Sequence, residues 1–178
     1  MVLSGLVFLP LLYCLIVMSL PKEAWVRPIS FLLSLLHFGL SLTLLLNFDK
    51  SSPALQFVER VPWLESVGIS YFVGLDGISL WLVLLSTFLT PLIILGSWCG
   101  IQKSVKGFHA CMFLLLTTMI GTFLAMDAIL FYIFFEASLI PMYFLVGIWG
   151  GSRRIYASMK FFIYTMFGSL FMLVGIIA

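Results

Sequence analysis

Glu136 stands inside an apolar stretch, Leu130 to Phe144 (LFYIFFEASLIPMYF), that carries no other charge. An acid at the centre of a spanning helix costs about 2.5–3.5 kcal/mol on insertion scales. Burial favours the neutral carboxyl and a nearby cation favours the carboxylate. A carboxyl with a movable or titratable partner therefore takes up and releases a proton, which makes Glu136 the candidate group for proton translocation. Tyr132 and Tyr143, four residues before it and seven after, share its helical face and extend a possible proton path. His37, near the middle of another apolar run, is the other candidate relay. Pro141 removes one backbone hydrogen bond and displaces the carbonyl of Ala137, beside the acid, so a helix break near the site is expected. Pro91 reads as a simple kink in its own run. Lys160 is expected to snorkel to an interface, away from the level of Glu136. Cys14, Cys99 and Cys111 are scattered without a CxxC spacing, and His37 and His109 stand singly, so no metal or cofactor site is expected on this chain.

The elements that position these residues are long apolar runs. Of 178 residues, 63% are hydrophobic and 9% charged, and the mean hydropathy is +1.23. A soluble domain carries about 25% charged residues, so this chain has no water-facing surface to speak of. A net charge of +2 is too weak to attract a polyanion, which excludes nucleic-acid binding. Six apolar runs cover residues 2–20, 29–48, 78–98, 108–125, 128–149 and 156–178. Each is about twice the length of a barrel strand and lacks period-two alternation. The expected fold class is all-α: a polytopic membrane protein with six transmembrane helices in a single integral domain, residues 1–178. The long loop 49–77 reads as a short hairpin or an interfacial segment, with Trp63 at headgroup level and Asp76 as N-cap of the next helix. Asp127 closes a tight turn between the fourth and fifth runs.

Charge sets the orientation. Lys22, Arg27, Lys103, Lys106, Arg153, Arg154 and Lys160 fall on one side, and only Lys50 and Arg60 on the other. The richer side is expected to face the cytoplasm, or the matrix of a mitochondrion, with loop 49–77 opposite. Ser30, Ser34, His37 and Ser41 lie on one helical face, as do Ser79, Ser86, Thr90 and Ser97. Thr117 with Gly121 and Thr118 with Thr122 make small-residue pairs. Such stripes mark helix–helix contacts, with a water file as the lesser reading.

Several segments together carry a family resemblance: VGLDGISL from Val73, LFYIFFEASLIPMYF from Leu130, GIWG from Gly147, KFFIYT from Lys160 and GSLFM from Gly168. The chain resembles the antiporter-like proton-pumping subunits of respiratory complex I, NADH–quinone oxidoreductase, of the chain M or chain 4 type. The resemblance implies the N-terminal part of a fold of about fourteen helices built from inverted repeats. It implies a membrane-arm subunit that couples electron transfer from NADH to quinone (ubiquinone in many respiratory chains) to proton translocation. Glu136 matches the family's fifth-helix glutamate, which pairs with a lysine on the seventh helix. NADH, FMN, Fe–S clusters and quinone belong to the whole complex and lie mainly on other subunits. The implied partners are the other membrane subunits, the lipid bilayer and the rest of the fold, in the same or a second chain. The implied location is the bacterial cytoplasmic membrane or the mitochondrial inner membrane. The seventh helix and its lysine are absent from this sequence, so no autonomous activity is expected of it. The alternatives are a Na⁺/H⁺ antiporter subunit, a membrane-bound hydrogenase subunit of the same superfamily, and a structural membrane scaffold.

Overall fold

The computed structural model describes residues 1–49, 54–64 and 69–177. The order of elements is α1 (Val2–Ser19), α2 (Glu23–Leu46), β1 (Gln56–Leu64), β2 (Ile69–Leu75), α3 (Gly77–Gly96), α4 (Val105–Leu124), α5 (Ala128–Trp149) and α6 (Arg154–Ile177). All six helices are long and apolar enough to cross a membrane. The chain is a multi-pass membrane protein. α2 starts at Glu23, six residues ahead of the apolar run at 29–48, because Trp25 and Arg27 continue the helix past its greasy section. An amphipathic first turn of this kind lets aromatic and cationic ends reach the interface.

α4 is the central helix, packed between α1 and α5; α2 and α3 pack on each other, and α6 packs on α5. The serine stripe of α2 faces inward: Ser30, Ser34, His37 and Ser41 are all buried. Ser41 meets Thr87 of α3 across a 2.8 Å hydrogen bond. On α4, Thr117, Thr118 and Gly121 are buried as the small-residue pairs require. Gly121 allows a close approach of α5 to α4, since a Cβ there would overlap the Phe134 ring of α5.

The two ends of the bundle differ in chemistry. At one end Lys106 donates to the Leu20 carbonyl, Arg27 to the Ile101 carbonyl at 2.8 Å, and the Trp149 indole to the Lys103 carbonyl at 2.7 Å. These bonds gather the basic loops. The other end is closed by the hairpin, with β1 and β2 antiparallel. A register shift between Gln56 and Glu59, with Phe57 at φ 52°, puts Glu59 over the start of α1. Its carboxylate accepts from the backbone N–H groups of Leu3 (3.0 Å) and Ser4 (3.2 Å), from the Ser4 hydroxyl, and pairs with the Met1 ammonium at 2.7 Å. The Ser4 and Tyr71 hydroxyls share a further bond of 2.9 Å. Partial burial works to raise the Glu59 carboxyl, but these bonds outweigh it and hold the group below its ordinary value. At β2, Ser70 donates to Asp127 and Met126 to the Phe72 carbonyl, which ties the hairpin to the α4–α5 turn. Asp76 and Asp127 are the N-caps of α3 and α5, accepting from Ser79 (2.6 Å) and from Ile129 (2.9 Å) and Leu130 (3.2 Å). Arg60 lies at the hairpin end, over the Phe72 ring; Lys50 lies outside the described residues.

Candidate proton site between the fifth and sixth helices

Glu136 sits two to three residues from the middle of α5, or about 4 Å along the helix axis at 1.5 Å per residue. The helix forms there because an N-cap aspartate leads into an unbroken apolar run. α5 is continuous from Ala128 to Trp149 with buried Pro141 inside it. The helix break expected at Pro141 is therefore corrected to a helical proline. One lost hydrogen bond does not end a helix whose apolar surroundings offer the backbone no other partner.

The carboxylate of Glu136 is half-buried and turns toward α6, where the Ser169 hydroxyl donates to it. Ser169 is buried, and its hydroxyl oxygen also lies 2.9 Å from a second acceptor, the Met166 carbonyl of its own helix. The Tyr132 hydroxyl interacts with both the Glu136 carboxylate and the Ser169 hydroxyl. Three oxygen-bearing side chains from two helices thus meet at mid-membrane depth. Among the described residues Glu136 forms no ion pair. Lys160 lies far along α6, its ammonium 5.8 Å and 5.7 Å from the ring centres of Tyr156 and Tyr164.

Tyr143 is placed further toward the basic end of α5. Its hydroxyl meets the Met159 sulfur of α6 at 3.6 Å and its ring packs on Phe162, so Tyr143 faces the same α5–α6 seam as Glu136. His37 belongs to another compartment. It is fully buried in α2 with its ring edge-on to Tyr13 of α1, 5.8 Å between centres. Neither of its ring nitrogens hydrogen-bonds within the described residues. The structure joins Tyr132 to Glu136 and leaves His37 apart from both. Among the described residues no cluster of three His, Cys, Asp or Glu side chains is placed to hold a metal ion.

Ser169 was not among the residues singled out from sequence. The signal available was its position on α6, eleven residues after Ser158 on the same helical face; these two are the fully buried residues of that helix. What the arrangement can do is bind a proton at mid-depth, with hydroxyl groups that both donate and accept on either side of the carboxyl.

Comparison with known proteins gives a consistent picture. The family model described as NADH-ubiquinone oxidoreductase chain 4, amino terminus, matches residues 6–127. The model for the NADH:quinone oxidoreductase/Mrp antiporter transmembrane region matches residues 125–178. NADH-quinone oxidoreductase subunit M of Rickettsia felis is 44% identical over 183 residues, covering 99% of this chain and 37% of the relative. F(420)H(2) dehydrogenase subunit M of Methanosarcina mazei is 41% identical, covering 97% of this chain and 35% of the relative. Respiratory complex I from Thermus thermophilus contains a chain that superposes with a TM-score of 0.84 at 30% identity, over 99% of this chain and 35% of its own length. The Mrp complex of a Dietzia strain has the same fold, with a TM-score of 0.81 at 18% identity. The chain spans a little over a third of the length of the two subunit M relatives and of the complex I chain, and 19% of the Mrp chain.

Proposed function

Because this chain belongs to the NADH-ubiquinone oxidoreductase chain 4 amino-terminal family, we propose that it works in the membrane arm of a proton-translocating NADH:quinone oxidoreductase. Its own contribution is a proton-binding site at Glu136, with Tyr132 beside it and Tyr143 further along the seam. The observation that carries this reading is the carboxylate itself, held at mid-depth by hydroxyl groups of two helices with no cation against it among the described residues. A lone carboxylate there is costly, and protonation relieves that cost. The cation that opposes it in the charged state comes from a further segment or another subunit, so the chain by itself conducts no protons. Quinone, NADH, FMN and Fe–S chemistry resides elsewhere in the complex. The basic end faces the cytoplasm or matrix.

The test is Glu136→Gln in the complete complex, reconstituted into vesicles. The change is nearly isosteric and removes the titratable charge. Assembly is expected to persist, while proton translocation is mostly lost and coupled quinone reduction falls with it. Glu136→Asp, one methylene shorter, should keep part of the activity. Wild-type pumping by the Gln variant overturns the assignment.

A further inference from the structure

The Ser169 hydroxyl lies within hydrogen-bonding reach of two acceptors, the Glu136 carboxylate on α5 and the Met166 carbonyl one turn back on α6. A hydroxyl has a single hydrogen and can donate it to one of them at a time, while its oxygen accepts from others. The Met166 carbonyl only accepts. These constraints leave two complete bonding patterns. When Glu136 is ionised, Ser169 donates to the carboxylate, and the Met166 carbonyl keeps only the helix's own backbone bond. When Glu136 is protonated, its O–H donates to the Ser169 oxygen, and the Ser169 hydrogen turns to Met166.

Resting on the reading of Glu136 as a proton site, we propose that Ser169 is a positioning residue of that site: its one hydrogen alternates between Met166 and Glu136 as the carboxyl loses and gains a proton. Two properties of the structure support a fixed role. Ser169 is 4% exposed, while its neighbours Phe167, Leu170 and Phe171 are exposed, so the hydroxyl is held against α5. The α5–α6 seam is also lined by small groups, with Gly147 against Ser158, which brings the helices close enough for a short side chain to span them. The consequence is that the carboxyl keeps one position in both protonation states, and neither state leaves an unpaired polar atom at mid-membrane depth.

The experiment compares Ser169→Ala and Ser169→Thr in the complete complex, with two readouts. The first is proton translocation in reconstituted vesicles. The second is the infrared carbonyl band of the protonated Glu136 side chain in pH-difference spectra, identified as the band that Glu136→Gln removes. Ser169→Ala deletes a bond to a charged group and is expected to slow translocation by about tenfold or more. It should also move the carboxyl band to higher wavenumber, as a C=O–H group does when its acceptor is taken away. Ser169→Thr restores the hydroxyl and is expected to return both readouts toward wild type. A helix-packing role alone would leave the band where it is. If Glu136→Gln removes a band and stops pumping while Ser169→Ala changes neither, the Ser169 proposal fails and the proton site stands. If Glu136→Gln itself leaves pumping unaltered, the underlying site fails first.

Discussion

At the scale of single residues, the chain uses its few carboxylates for quite different tasks. Glu136 is kept in an apolar span, whereas Glu59 works outside it as a cap for α1. The Glu59 carboxyl lies below its ordinary value of 4.5. A depressed carboxyl contributes stability that is full above that ordinary value and is lost as the pH falls through the lower, folded-state one. Protease access to the β1–β2 hairpin should therefore be low at neutral pH and rise on acidification below about 4.5. Glu59→Gln should show high access at both, and unchanged access in that variant would remove the cap from the account. Glu136 was legible in the sequence because one charge in an apolar run has a known cost. Glu59 was not, since its partners lie 55 and 56 residues away and its surroundings read as an ordinary loop. Ser169 escaped for a related reason: serines are commonplace in spanning helices, and the partner that gives this one its meaning is 33 residues distant.

At the scale of elements, the helices follow from apolar length and the cap Asp76 from its side-chain type, so both were readable; Asp127 was read as a turn residue, and the structure adds that it caps α5. The hairpin remained one of two readings until strand pairing was seen, because cross-strand register is not a local property. α5 packs closely on α4 at Gly121, which the sequence showed only as half of a small-residue pair. Gly121→Ala places a methyl group in the ring of Phe134, and overpacking of this kind costs about 1–3 kcal/mol. The expected outcome is a lower denaturation midpoint of the assembled complex and a smaller yield of it. Gly121→Val should be worse, and an unchanged midpoint in both would show that the ring moves aside freely. α5 carries Glu136, so this contact also bears on how firmly α5 presents it to α6.

At the scale of the whole molecule, six helices place all the turn-forming basic residues at one end and the hairpin at the other. A cysteine at Lys103 should react with an impermeant reagent from the cytoplasmic or matrix side, and one at Val58 from the opposite side. Reaction of both from the same side contradicts the orientation. This division was readable from the lysines and arginines alone. What the sequence did not disclose is how the hairpin end is fastened. Glu59 on β1 closes the first turn of α1, and Ser70 and Phe72 on β2 hold the turn before α5. The consequence concerns the order of biogenesis. When α1 leaves the ribosome its first N–H groups have no partner, and none arrives until more than fifty further residues have emerged and crossed. The strands in turn gain their outer anchor only when Asp127 reaches the same side. The hairpin thus behaves as a late-closing latch: an insertion intermediate halted before β1 has a frayed first helix, one halted before α5 has a capped first helix but an undocked hairpin, and translocation of one short turn secures the latter.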